Sequence, residues 1–210
     1  MISVGQERSC VEFVKRYPEL FKDNNFKEIY KKAFNEVDVP VLTEWLYDKN
    51  IDPLVYMNYI PQAFSAMSKI REYEVSPHIK VIEKEAFWLC VALSKVTLPV
   101  GLTDIGESAF GQCNRLKEII FPDTLKSIGK YAFNTTGLEQ ILIPESVTII
   151  GREAFEECKH LIDVTIMGKL TIIEPEAFYN CNKNLIIYCK DNSNAKQYCE
   201  VNGIQFRIIK

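Results

Sequence analysis

A six-residue pattern recurs five times in the second part of the chain, and its near-constant step constrains the fold more than any other feature. The copies are Ile82-Glu83-Lys84-Glu85-Ala86-Phe87, Ile105-Gly106-Glu107-Ser108-Ala109-Phe110, Ile128-Gly129-Lys130-Tyr131-Ala132-Phe133, Ile150-Gly151-Arg152-Glu153-Ala154-Phe155 and Ile173-Glu174-Pro175-Glu176-Ala177-Phe178. The phenylalanines at 87, 110, 133, 155 and 178 are 23, 23, 22 and 23 residues apart. Self-similarity on this scale marks a solenoid. Ahead of the last four blocks lie short alternating segments, Val96-Thr97-Leu98-Pro99, Ile119-Ile120-Phe121-Pro122, Ile141-Leu142-Ile143-Pro144 and Val164-Thr165-Ile166-Met167. Each reads as a strand of about four residues closed by a residue that does not continue the ladder. Tyr73-Glu74-Val75 lies 23 residues before Val96-Thr97-Leu98, so the solenoid begins near residue 70. A unit of 22 or 23 residues cannot bury its own apolar face. Leu116, Ile119, Phe121, Leu125, Ile128, Ala132 and Phe133 are therefore expected to stack on their counterparts. Gly106, Gly129 and Gly151 are expected at tight turns that need positive φ.

The composite pattern L-x-x-I-x-[IL]-P, then I-x-x-I-G-x-x-A-F-x-x-C, is carried most closely by Leu116 to Pro122 and Leu125 to Phe133. It resembles the BspA-like class of leucine-rich repeats. The tail, Ser193-Asn194-Ala195-Lys196-Gln197-Tyr198 through Gly203-Ile204-Gln205-Phe206, is similar to the closing segment of that class. The resemblance covers residues 70 to 210 and implies an α+β chain: a curved β-solenoid of about five to six coils, with strands on one face and short helical turns opposite. It implies a binding scaffold with varied partners and no chemistry. Gly137-Leu138, one residue early after Phe133, and Met167 in place of proline are departures that fall on local turns.

Three segments follow. Residues 1–69 show helical periodicity and no repeat: Val4 to Tyr17 stopped by Pro18, Asn25 to Phe34, a helix opened by Pro40, Asp52-Pro53 capping Leu54 to Ile60, and a short turn from Pro61 through Met67. This reads as an all-helical N-terminal cap, either a simple lid or also part of a binding surface. Residues 70–190 form the solenoid, ending on the strand-like Leu185-Ile186-Ile187-Tyr188. Residues 191–210 form a C-terminal cap, with a helix over Ala195 to Val201 stopped at Asn202-Gly203 and an extended segment from Ile204 to Ile209.

The chemistry-bearing residues form no recognisable catalytic set. Cys90, Cys113, Cys158 and Cys181 each lie three residues after a repeat phenylalanine, with Thr136 in the vacant slot. The simplest reading is a column of buried thiols. Without a C-x-x-C pair or a neighbouring histidine, zinc is not expected, and a reducing compartment would keep adjacent thiols unpaired. Cys10, Cys189 and Cys199 share no spacing. His78 and His160 read as solvent-facing, and Glu156-Glu157 as a solvated loop pair. No phosphate-binding, zinc-protease or serine-nucleophile motif is present. The expectation is no enzyme, no cofactor and no metal.

Composition narrows the partner. A formal net charge of -3, with no basic block, argues against nucleic acid. The longest apolar run, Ala86 to Leu93, is far below the ~20 residues of a membrane span. The first residues show no leader, so the chain is expected in the cytoplasm, or at the cell surface if a leader has been removed.

What remains is the outward side of the strands. One column reads Glu72, Lys95, Glu118, Gln140 and Asp163, and the other Glu74, Thr97, Ile120, Leu142 and Thr165. Ile120 and Leu142 form an apolar centre within a polar rim, which is interface anatomy. Alternatively, aliphatic residues stand there because strands favour them. The leading expectation is a non-catalytic module that binds another protein through this face. The alternatives are an exported surface adhesin and an inhibitor that blocks a specific enzyme.

Overall fold

The computed structural model describes residues 70–75, 77 and 79–210. The helices expected within 1–69, Cys10 and His78 lie outside the described residues. In chain order the elements are β1 (Glu72–Glu74), β2 (Val81–Ile82), β3 (Lys95–Thr97), β4 (Asp104–Ile105), β5 (Ser127–Ile128), β6 (Gln140–Ile143), β7 (Ile149–Ile150), β8 (Asp163–Ile166), β9 (Ile172–Ile173), β10 (Ile186–Lys190), α1 (Asn194–Asn202) and β11 (Gln205–Ile209).

The repeat period becomes the strand register. Glu72 pairs with Lys95 and Gln140 with Asp163, each one coil on and parallel. Parallel strands are buried on at least one face and must be joined by crossovers, and here each coil is its own crossover. The expected strand face is present as β1 and β3, then β6, β8, β10 and β11 in one parallel sheet. A second parallel sheet, β2-β4-β5-β7-β9, runs along the coil at the isoleucine that opens each block. It was not expected, and its strands are only two residues long. In each of them the isoleucine side chain points inward, and among the described copies all but Ile173 are fully buried.

Opposite the strands the resemblance implies short helical turns, and the structure differs. Among the described residues α1 is the one helix, and the block from Ile to Cys is a run of turns. Ser108 and Gln112 take φ of 53° and 61°, and the same two slots are positive in every described coil, as at Tyr131, Thr135, Glu153 and Glu157. Left-handed backbone costs a non-glycine residue about 1–2 kcal/mol. Hydrogen bonding offsets that cost. Ser108, Phe110 and Gln112 donate their N–H groups to Lys130, Ala132 and Asn134 carbonyls of the next coil, all at 2.8 Å. The alternate N–H groups of Ala109, Gly111 and Cys113 turn back to Gly106, Ser108 and Phe110 at 3.3, 3.0 and 3.2 Å. Every donor of the turn is thereby used, which a buried backbone requires.

The glycines therefore serve a purpose other than the expected one. None of Gly106, Gly129 and Gly151 has positive φ. A Cβ on Gly129 would sit 2.6 Å from Gly106 C, and one on Gly106 would sit 2.7 Å from Lys84 N. They are glycine because neighbouring coils approach too closely there for any side chain. Gly137 is similar, with an added Cβ 2.4 Å from Asn114 O, in the coil that is one residue short. Met167 replaces proline where a donor is used, since its N–H reaches Ile143 O at 3.0 Å.

The core is a column of parallel phenyl rings. Phe87, Phe110, Phe133, Phe155 and Phe178 stack at centroid separations of 5.0, 5.2, 5.3 and 5.2 Å, with interplanar angles of 9° or less. Each buried ring contributes about 1.5–3 kcal/mol by leaving water. The small alanine beside each phenylalanine is fully buried and admits the next coil. A tilted tyrosine ends the column on each side, Tyr73 against Phe87 and Tyr198 against Phe178. Ser193 caps α1 through its side chain, which accepts from Lys196 N at 3.2 Å, and Gly203 closes it at φ 67°.

Candidate functional site

The strand face is the one surface on which the sequence placed candidate residues. Glu72, Glu74, Lys95, Thr97, Glu118, Ile120, Gln140 and Leu142 are exposed, and Asp163 and Thr165 half-buried. They alternate with buried residues, as a strand of period two demands. Register aligns them in the two expected columns, Lys95 beside Glu118 and Leu142 beside Thr165. The columns also run further than expected. Ile186 pairs with Asp163 and Tyr188 with Thr165, and Gln205 and Arg207 follow on β11. The strand at 185–188 was legible, and extending the alternation along it would have added Ile186 and Tyr188.

The face is interrupted at its centre. Among the described residues a single bridge, Lys95 to Glu118, joins 118–121 to β3, and no ladder joins it to β6. Two local differences coincide there: a coil one residue short, and Phe121 in the slot that Ile143 and Ile166 hold later. The Phe121 ring packs edge-on to Phe133 at 5.5 Å. The result is a cleft of about 640 Å³ that brings together Glu118, Ile120, Gln140, Leu142, Asp163 and Thr165. On its far side Ile120 also lines a smaller, more apolar cavity of about 290 Å³ with Val96, Leu98 and Val100. Glu72 and Glu74 lie on neither cleft.

Ile120 is 85% exposed, Val100 82% and Leu142 54%. Three large aliphatic side chains so open to water in one region form an apolar patch of the kind that marks contact surfaces. Its rim is charged. Lys117 Nζ lies 3.0 Å from Glu139 Oε1 across the break, an exposed pair worth no more than about 1 kcal/mol. Glu118 and Asp163 add negative charge on either side.

The other candidate residues gather elsewhere. His160 is exposed. Among the described residues no group of three or more His, Cys, Asp or Glu is placed to hold a metal ion. On the turn face, a hydrogen bond from Tyr131 holds the Glu153 carboxyl below its usual range, while burial and the neighbouring carboxylates push Glu156 up. Glu157 is held low by Lys159, at 2.9 Å. Glu156 accepts from Asn134 at 2.9 Å and Glu157 pairs with Lys159. One buried oxygen of Glu153, Oε2, has no hydrogen-bond partner among the described residues, and the three line no cleft of the strand side.

The thiol column is present: Cys90, Cys113 and Cys158 are fully buried, Cys181 is partly exposed, and Thr136 is buried in the vacant slot. Each of the last three cysteines donates to the phenylalanine carbonyl one coil back, Cys113 to Phe87 at 3.1 Å, Cys158 to Phe133 at 3.2 Å and Cys181 to Phe155 at 3.1 Å. Thr136 Oγ1 donates instead to the Phe133 carbonyl of its own coil, at 3.0 Å.

The BspA type leucine rich repeat region matches the chain over residues 17–99 and 80–202, in six copies. A leucine-rich repeat protein from Bacteroides ovatus is similar at 30% identity and a TM-score of 0.51, over 60% of this chain and 41% of that one. A leucine rich cell surface protein from Faecalibacterium prausnitzii is similar at 27% identity and a TM-score of 0.56, over 67% of this chain and 36% of that one. A leucine-rich repeat protein of T. pallidum is similar at 25% identity and a TM-score of 0.52, over 70% and 76%. The chain thus spans about two fifths of the length of the first two. No curated protein matches it.

Proposed function

The chain belongs to the BspA-type leucine-rich repeat family, and on that premise we propose that it is a non-catalytic module that binds another protein through its strand face. The observation that carries this reading is the exposed pair Ile120 and Leu142 on the rims of the central cleft. Burying a large aliphatic side chain in an interface yields about 1.5–3 kcal/mol, and a few such residues carry most of a binding energy. The family's repeats generally build protein-interaction or surface proteins, which supports it further. The test is the pair of substitutions Ile120→Asp and Leu142→Asp, followed by recovery of partners from extract of the source cells. Both positions are exposed, so the fold is retained, as circular dichroism checks. Recovery is expected to be lost, and unchanged recovery removes this face from the proposal.

An exported surface adhesin is the second reading, favoured by the similarity to the Faecalibacterium prausnitzii cell surface protein. Among the described residues no helix is long and apolar enough to cross a membrane. Antibody labelling of intact cells separates the two readings: surface signal supports the adhesin, and signal only after permeabilisation supports the internal binder.

A further inference from the structure

The thiol column is divided into two pairs of coil-adjacent cysteines, Cys90 with Cys113 and Cys158 with Cys181, because Thr136 occupies the slot between them. Around the second pair the two coils are locked together on both sides. Phe155 and Glu157 donate N–H groups to Ala177 and Tyr179 carbonyls at 2.8 and 3.0 Å, and Asn182 Nδ2 donates to Lys159 O at 2.8 Å. Chains bonded this way run about 4.8 Å apart. A disulfide needs a Cα separation of about 4.4–6.8 Å, so the coil spacing meets that requirement. The Cys181 sulfur already leans toward the Cys158 coil, against Phe155 O at 3.1 Å, whereas the Cys158 sulfur leans away, against Phe133 O at 3.2 Å, so closure rotates the Cys158 side chain toward Cys181.

Access distinguishes the pairs. Cys90, Cys113 and Cys158 are fully buried. Cys181 is partly exposed and lines a cavity of about 310 Å³ at the last coil, beside Phe178, Asn182 and Tyr198.

From this geometry we propose that Cys158 and Cys181 form an oxidation site, closed to a disulfide by hydrogen peroxide entering the terminal cavity. The Cys181 sulfur, as thiolate, attacks one peroxide oxygen and expels hydroxide, giving a sulfenic acid. The Cys158 thiolate then attacks that sulfur and expels a second hydroxide. With the two thiol protons the products are one disulfide and two waters, and two electrons pass from the sulfurs to the peroxide. Thr136 Oγ1, 3.3 Å from Cys158 Sγ, steadies the inner thiolate. When Cys158 ionises, the Cys181 and Thr136 donors turn from the Phe155 and Phe133 carbonyls to its thiolate, which holds the Cys158 pKa below the ordinary thiol value in spite of burial. The hydrogen bond to Cys158 and burial push Cys181 up, so the first step is slow at neutral pH and accelerates as pH rises.

The experiment treats the reduced full chain with hydrogen peroxide, denatures it in an alkylating agent and maps the peptides by mass spectrometry. The expected product is a Cys158–Cys181 linked peptide, two hydrogens lighter than its parts, with Cys90 and Cys113 alkylated. The melting temperature rises by roughly 5 °C or more and returns with dithiothreitol. Cys181→Ser abolishes the link and leaves Cys158 alkylatable. Recovery of Cys181 as sulfinic or sulfonic acid beside a free Cys158 overturns the proposal. So does a Cys90–Cys113 link that forms as fast, because access would then select nothing. Should Cys181→Ser fail to fold, the wild-type time course decides: Cys158 and Cys181 must lose their alkylation together.

Discussion

The backbone N–H of Phe178 donates to the hydroxyl of Tyr198 at 3.4 Å. In each earlier described coil the same N–H reaches an alanine carbonyl one coil on, Phe155 to Ala177 at 2.8 Å for instance. A side chain of α1 thus takes the place of the coil that does not follow, and its ring closes the phenyl column edge-on at 6.1 Å. Burial pushes the Tyr198 pKa up, in keeping with a neutral hydroxyl held inside the cap.

Tyr198→Phe keeps the ring and leaves the Phe178 N–H without its acceptor. The expected loss is about 1–2 kcal/mol. Tyr198→Ala also removes the ring and is expected to cost about 3–5 kcal/mol. Urea unfolding midpoints measure both, and equal losses would assign the whole effect to the hydroxyl.

Two glycines make a matched test of close approach. Gly129→Ala places a Cβ 2.6 Å from a backbone carbon, whereas Gly101→Ala meets nothing within 4 Å. The first is expected to cost about 1–3 kcal/mol through overpacking, and the second to stay within about 0.5 kcal/mol of the parent. Thermal unfolding of the two side by side is the check.

Thr136 fills the cysteine slot in the short coil and donates to Phe133 O at 3.0 Å. Thr136→Val removes that donor while keeping the shape, and about 1 kcal/mol of stability is expected to go with it. Thr136→Cys restores a weak donor of similar size and is expected to recover most of the loss. A Val variant as stable as the parent would show that the hydroxyl contributes nothing there.

The turn-face carboxylates set opposite pH trends. Glu153 is held low by the Tyr131 hydrogen bond and Glu157 by Lys159, so their contributions are present above the unfolded carboxylate pKa and fade as pH falls through the folded values. Glu156 is pushed up by burial, so its charge opposes folding at neutral pH and that penalty disappears on acidification. Glu156→Gln is therefore expected to raise the melting temperature at pH 7, with a gain that vanishes below about pH 4. Glu153→Gln is expected to lower it at pH 7. Melting curves across that range measure both signs.

The repeat was legible because Phe87, Phe110, Phe133, Phe155 and Phe178 recur with their alanines, and a ring that size has only one place to go in a stacked core. The outward columns were legible for a simpler reason: alternation fixes side-chain direction wherever a strand is four residues long. The second sheet was not, since two residues such as Ser127-Ile128 are too short to show alternation. The glycines were misread because a letter does not distinguish positive φ from contact with the chain below. Nothing in Ile119-Ile120-Phe121-Pro122 marks the central break either. That depends on how Phe121 meets Phe133 across the interior of their shared coil, a three-dimensional relation between two residues that each look ordinary.

The turn face gives the solenoid a polarity along its axis. Glu85, Phe87 and Leu89 send N–H groups to carbonyls of Glu107, Ala109 and Gly111, and the same direction repeats coil after coil. By register, the carbonyls of Lys84, Ala86 and Trp88 face one end, and the N–H groups of Glu176, Phe178 and Asn180 the other. On this face the two ends are chemically complementary, while on the strand side the direction reverses, as where Ser94 and Gly106 donate back to Arg71 and Ile82. Whatever covers the first must bring donors, and whatever covers the last must bring acceptors, as the Tyr198 oxygen does.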